Sequence, residues 1–414
     1  MKSQSRVLVK KFGGTSVGTL DRIQNVARRI KNDTSPGVLP ILVVSAMSGE
    51  TNRLVKMADE LHPHYRGPAY DMLVASGEQV SAALVALALE KLEMKARPYL
   101  AHQLGIHTDS MYSKARIQHI DTEKIKRDID EGIIPVVAGF QGIDEFDNIT
   151  TLGRGGSDTT AVALAAALKM DECEIYTDVP AIFTADPRIV PKAREIKKLS
   201  FDEMIEMASL GSKVLHIRSV EMGAKYGVKI HLRSTFESRP GTWVVPEGAK
   251  MENPVVTSIT HEEKTTVFKL SPVPLGAEPL AKLFEALAEK GILIDIITQS
   301  QTTEGQQLAF SVSNEDAHAS KAIIAQQFGH QVGLRHELKL KTEIMEDVSK
   351  LSIVGVGMRN HPGVAAKFFR VLADKRITVH LVTTSEIKVS GIIDSNQLAA
   401  AAQALHTAFD LDKQ

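Results

Sequence analysis

The sequence predicts an α/β protein: a mostly parallel sheet covered by helices over roughly the first 245 residues, followed by two small ferredoxin-like units. Three observations carry that expectation. Up to residue 245, short β-branched runs alternate with longer helical patterns. A turn-rich stretch, Pro240-Gly241 to Pro246-Glu247-Gly248, then marks a boundary. Beyond it, residues 281–300 align without a gap to residues 366–385, with nine of twenty positions identical.

Strands are expected at 6–11, 39–45, 96–101, 133–138, 172–177 and 228–233, and helices at 20–31, 51–61, 70–91, 121–131, 158–170, 201–208 and 213–226. Such alternation means βαβ units and a parallel sheet buried on both faces. Ligands of these sheets bind beyond the carboxyl ends of the strands. The segments FGGTS, SAMSG and GRGGSD fall at strand-to-helix junctions, where chemistry is expected.

Each copy of the repeat reads strand, helix, strand, strand, helix, strand. The first spans 265–270, 277–290, 293–298, 307–313, 316–328 and 332–338; the second spans 350–355, 363–374, 377–383, 387–393 and 396–408. Two such copies can pair their sheet edges, hold a small ligand between them, or serve only as a dimerisation platform. Pattern alone leaves these open.

The 414 residues are 43% hydrophobic and 24% charged, enough for a sizeable core. Forty-nine basic against 50 acidic residues leave a net charge of −1, without the basic excess a nucleic-acid partner needs. One cysteine, Cys173, cannot form an internal disulfide and points to a reducing, cytoplasmic setting. Lysines interrupt the N-terminal apolar stretch, so no secretory signal is expected. The apolar runs near 82–89 and 161–168 fall short of the ~20 residues of a membrane span, so no membrane is expected.

The strongest motif is Leu152-Gly153-Arg154-Gly155-Gly156-Ser157-Asp158-Thr159-Thr160. Its glycines let backbone N–H groups approach an anion, the following helix adds its dipole, and Arg154 adds a fork for carboxylate or phosphate. The bland alternative is a turn with Ser157 or Asp158 as an N-cap. Lys11-Phe12-Gly13-Gly14-Thr15-Ser16 closes the first strand and makes a second anion cradle. Lys10, sent to the opposite face by strand alternation, reads better as a solvated lysine. Ser45-Ala46-Met47-Ser48-Gly49-Glu50-Thr51 opens a helix, and Ser76-Gly77-Glu78-Gln79 interrupts a helical pattern. Glu78 could bind an ammonium group or cap a helix. Thr177 to Arg188, with Asp178, Phe183 and Asp186, suits a nucleotide, with Phe183 beside the base; the alternative is a structured loop. Lys213 at a helix start opposes the dipole, which favours a phosphate contact.

Neither a P-loop nor the protein-kinase motif set is present, and no Cys/His cluster has metal spacing.

The runs VKKFGGTSVG, VVSAMSGETN, ASGEQVS, GFQG with TLGRGGSDTTA, YTDVPAIFTADPR and GSKVLHIRSVE together resemble the aspartokinases. VGVGMRNHPGVAAKFF and TTSEIKVS resemble the second regulatory ACT unit of that family. The resemblance implies an amino-acid-kinase αβα sandwich over 1–245 and an inserted first ACT domain over 264–342. The second ACT domain would be built from 250–263 and 343–414. It implies ATP and Mg²⁺ as cofactors and L-aspartate as the acceptor, phosphorylated on its side-chain carboxylate as the first step toward lysine, threonine and methionine. By the same resemblance Lys11 contacts the transferring phosphoryl group and Asp158 positions that lysine. Glu78 and Arg154 hold the substrate's ammonium and α-carboxylate, with Ser45, Thr51 and Ser157 lining its pocket. Lys11, Gly13, Gly14, Ser16, Thr177, Asp178, Phe183, Asp186, Arg188 and Lys213 surround ATP. Position 183 is often tyrosine in the family.

Departures cluster in the first ACT copy, where the helix follows Pro274-Leu275-Gly276-Ala277 and a strand ends at Gln299-Ser300. The second keeps His361-Pro362-Gly363-Val364 and Thr384-Ser385-Glu386-Ile387. An amino-acid effector, lysine or threonine, and a homodimer or higher homo-oligomer through the ACT units are implied. Two rivals stand beside this reading: a related kinase for another amino acid or acyl substrate, and a non-catalytic amino-acid sensor.

Overall fold

The computed structural model describes residues 6–33, 38–212, 214–248, 254–274, 276–303, 305–328 and 340–413. They form two compact units: residues up to Phe183 with Glu195–Met251, and Thr184–Arg194 with Glu252–Gln414. The catalytic segment expected over 1–245 is therefore interrupted. Eleven residues, 184–194, pack with the other unit.

The first unit is an eight-stranded sheet with strand β1 (Arg6–Phe12) near its centre. Strand β2 (Val38–Val44) and strand Glu172–Thr177 flank β1, both parallel to it. Thr242–Val245 is antiparallel to Lys229–Ser234, and the edge strand Lys198–Ser200, parallel to Thr242–Val245, runs against the others with it. The chain leaves β1 toward β2 on one side and returns later on the other, so the carboxyl end of β1 lies at the reversal of strand order, where such sheets bind ligands. Helices α1 (Leu20–Asp33) and α3 (Pro68–Glu90) cover one face. Ile23, Val26 and Ile30 of α1 and Ala82, Val85 and Leu89 of α3 bury against Phe12, Val44 and Val136. Helix α3 has 23 residues and is long and apolar enough to cross a membrane by length and composition, more than the run at 82–89 suggested. It carries Asp71 and Glu78, both buried in this unit. A small sheet of Ile117–Ile120, Ile106–Thr108, Gln141–Ile143 and Ile149–Thr151 leads into the Gly153–Gly156 loop.

The second unit holds both copies of the repeat. Leu283, Leu287 and Ile292 in the first copy align with Phe368, Leu372 and Ile377 in the second, and all six are buried. The two copies are joined by their strands. Ser258–Val273 and Lys341–Val354 each run through both copies and pair with one another, making one six-stranded antiparallel sheet. The strand expected at 332–338 lies outside the described residues. The N-terminal part of Ser258–Val273 pairs with Leu351–Val354, which places it in the second copy.

Candidate active site

Alternation along β1 sends Lys10 and Lys11 to opposite faces. Lys11 is buried, with its Nζ 2.5 Å from Oδ1 of Asp158. Asp158 sits in the first turn of helix Gly156–Ala167. That helix opens after Gly155, whose φ of 69° is left-handed, and no side chain caps it. A Cβ at Gly155 would stand 2.2 Å from the Cβ of His216, so only glycine fits. Helix α2 (Glu50–Leu61) likewise opens after Gly49 without a side-chain cap. Two uncapped helix N-termini and one lysine thus border a single cleft of about 360 Å³, a natural anion site. Ser45, Thr51, Glu78, Arg154, Ser157 and Gly14 line it as well.

Glu78 is 3% exposed. Its Oε1 accepts a 3.0 Å hydrogen bond from the Ala46 N–H, while Oε2 is buried without a hydrogen-bond partner among the described residues. Burial pushes the carboxyl up to about 7, against the opposing pull of the Ala46 N–H and Lys11. A buried carboxylate with one unanswered oxygen, lining an anion cleft, matches the ammonium of an amphoteric ligand. The segment around Glu78 does not interrupt its helix: α3 runs through it. Gly77 leaves room for the Ala46 loop, since a Cβ there would lie 2.8 Å from the Ala46 Cβ.

Sequence reasoning missed the residues that brace the glycine loop. Asp71, two helical turns before Glu78, is fully buried; it accepts from the Ser113 N–H and from the N–H and hydroxyl of Thr151. Burial raises its pKa against those bonds. Arg218 donates to the carbonyls of Leu152 and Ala115, and Phe140, at φ 70°, lines the cleft. No local motif marks Asp71 or Arg218, because their partners lie far along the chain. Asp71→Ala should cost about 3 kcal/mol of stability by stranding buried donors, read as a lower urea midpoint. An unchanged midpoint would refute that bracing role.

The remaining expected residues lie elsewhere. Ser16 is fully buried, its hydroxyl 2.6 Å from that of Thr235. The N–H of Gly13 donates to Tyr176, and the hydroxyl of Thr177 donates to Asp178. Phe183 belongs to a two-residue strand paired with Glu195–Ile196. None of these lines the cleft. Asp186 and Arg188 form an ion pair with each other, 2.6 Å apart, in the second unit. Lys213 lies outside the described residues. Lys10 is not solvated: it is 5% exposed and 3.3 Å from Glu174, which also binds Arg233 and accepts from the Tyr176 hydroxyl.

The family model described as the amino acid kinase family matches residues 6–234, and one described as an ACT domain matches 351–409. An aspartate kinase of Pseudomonas putida is 44% identical over 410 residues, covering 98% of both chains. Aspartokinase 2 of Bacillus subtilis is 44% identical over 407 residues, again covering 98% of each. The structure of E. coli aspartokinase III in complex with aspartate and ADP superposes with a TM-score of 0.78 at 24% identity, over 97% of this chain and 99% of that one, a likeness of fold. With full-length identity of this order, and with lysine, arginine and carboxylates gathered in one glycine-walled cleft, the chain belongs to the aspartokinase family.

Proposed function

We propose that this chain transfers the γ-phosphoryl group of ATP to the side-chain carboxylate of L-aspartate, giving 4-phospho-L-aspartate. One observation carries the reading: Lys11 with Asp158, Glu78 and Arg154 share a single cleft. Glu78 takes the α-ammonium on its unpaired Oε2, and Arg154 takes the α-carboxylate. The acceptor carboxylate, with a reference pKa of about 3.9, is ionised at neutral pH and needs no general base. The barrier is the approach of one anion to another. Lys11, held by Asp158, and the N–H groups opening helix Gly156–Ala167 answer it with positive charge where the transition state gathers negative charge. Asp158, a carboxylate lining the cleft beside Lys11, would hold Mg²⁺, which would supply neutralisation of phosphate charge. Thr177, Asp178, Phe183, Asp186, Arg188 and Lys213 are assigned to ATP by family resemblance.

Incubation with ATP, Mg²⁺, aspartate and hydroxylamine should yield aspartyl hydroxamate, and its absence would reject the activity. Glutamate and acetylglutamate in the same assay test the related-kinase reading. Arg154→Ala should mainly raise the Michaelis constant for aspartate, because it removes a clamp present before reaction; an unchanged constant counts against it.

The E. coli enzyme has also been solved in complex with lysine and aspartate in a T-state. We infer an amino-acid effector, lysine or threonine, at the ACT copies here, with homo-oligomerisation through them and a cytoplasmic setting.

A further inference from the structure

A parallel sheet usually buries apolar residues on both faces. Here the register puts a polar row across three strands of the first unit. Lys10 of β1 pairs with Glu174, and Glu174 with His231; in the next row Tyr176 pairs with Arg233. Beside these rows lies a second cavity, of about 710 Å³, which shares no lining residue with the catalytic cleft and belongs wholly to the first unit. Asn25, Arg28, Arg29 and Asn32 of α1 form one wall. Their spacing of three and four residues makes one stripe of the helix, opposite the apolar Ile23, Val26 and Ile30. The turn after Lys229–Ser234 forms another wall, tied down by Arg29, whose Nη1 donates to the carbonyls of Ser234 and Thr235 at 2.9 and 2.8 Å.

Four cations line this cavity, Lys10, Arg28, Arg29 and Arg233, with four carboxylates, Asp33, Glu172, Glu174 and Glu237. The carboxylates are all answered. Glu174, 7% exposed, meets Lys10, Arg233 and the Tyr176 hydroxyl. Burial would raise its carboxyl, but Lys10 and Arg233 hold it below its ordinary range, so it is ionised. Asp33 pairs with Arg29, Glu237 with Arg239, and Glu172 is partnered as well. The cations keep donors to spare. Lys10, 5% exposed, has three N–H donors and makes no hydrogen bond among the described residues; Glu174, at 3.3 Å, is its one ion-pair partner. Arg233 spends Nη1 on Glu174 and Tyr176 and leaves Nη2 unbonded among the described residues. Arg28 bonds the Gln24 carbonyl through Nε and leaves both terminal nitrogens unbonded among them. Burying an ammonium without filling its hydrogen bonds is costly, and an anion in the cavity would fill them. We infer that this cavity is a second ligand site, and that it takes a small dianion, a dicarboxylate or a phosphate, on Lys10, Arg28 and Arg233. Glu174 is the fixed counter-ion that holds two of those three cations in place.

The test uses the full chain with its catalytic cleft filled by aspartate, Mg²⁺ and a non-hydrolysable ATP analogue, so that added anions report on other sites. Inorganic phosphate and succinate are titrated separately by calorimetry at about 0.15 M chloride, where loose surface attraction is screened. At least one of them should bind with one-to-one stoichiometry and a dissociation constant of about 1 mM or tighter. Phosphate alone, or succinate alone, names the ligand class; both together mean that charge alone selects. Lys10→Gln and Arg28→Gln should each weaken that binding about tenfold, the effect of one lost charge-assisted hydrogen bond. Melting curves check that the variants fold. Arg28 is exposed, so its variant decides alone where Lys10→Gln does not fold. No saturable heat from either anion overturns the inference and leaves Lys10, Glu174 and Arg233 as a structural ion network. An affinity within twofold of the parent's in either folded variant overturns it as well.

Discussion

Lys11→Ala is expected to lower kcat by about 10²-fold or more, the usual result of losing one preorganised donor to a transition state. The Michaelis constant for aspartate should move far less, because Glu78 and Arg154 hold that substrate. The expectation rests on placement. Lys11 is buried and ion-paired to Asp158 at the mouth of an uncapped helix, so the ion pair holds its ammonium at the cleft wall. The alanine variant leaves the Asp158 carboxylate without its counter-ion, which costs stability as well. Folding should therefore be checked by melting, with Lys11→Arg as a charge-retaining companion. A folded alanine variant with kcat near that of the parent removes Lys11 from the chemistry.

Glu78→Gln is expected to raise the Michaelis constant for aspartate by tenfold or more and to flatten its pH dependence. In the parent, the carboxyl sits near 7, so it is largely protonated at pH 6 and ionised at pH 8. Aspartate binding should then weaken by about tenfold between pH 8 and pH 6, since the ammonium needs the ionised form. The stability effect has the opposite sign. The unfolded chain gives up this proton near 4.5 and the folded chain keeps it to about 7, so stability falls as pH rises through that window. Above pH 7 the glutamine variant without ligand should be the more stable by about 1–3 kcal/mol, and at pH 4 the two should match. Melting curves at the two pH values decide it. Equal stability at pH 8, with the parent's pH profile retained, would mean that Glu78 is not the titrating group.

Much of this was legible in the chain. The runs at Lys11, Ser45 and Gly153 combine glycine with hydroxyl or charged residues beyond strand ends, a composition that ordinary turns do not need. The internal repeat predicted its own core, since Leu283 and Phe368 occupy the same aligned position. What escaped were decisions made by partners distant in sequence. Lys10 reads as a solvated lysine until Glu174, on a neighbouring strand, neutralises it. Asp71 carries no local motif, and its role comes only from Ser113 and Thr151, 42 and 80 residues away. Residues 184–194 read as part of the kinase unit because they are contiguous with it, yet Ala185 and Val190 bury elsewhere. The segment 341–349 lacks clean alternation because its outer half is largely exposed, and so its extension into a long strand went unseen.

The two long strands, Ser258–Val273 and Lys341–Val354, have a mechanical consequence. Their pairing slips between Glu262 and Val267, where Lys264 takes a positive φ of 62°. There the buried Lys350 meets Glu262 and Asp295, whose charges outweigh the cost of its burial and hold its ammonium protonated. A shared pair of girders with one stiffened joint transmits torque. A ligand that flattens one half of the sheet must twist the other, so the regulatory unit should respond as a single lever, and cutting out either half should cripple both.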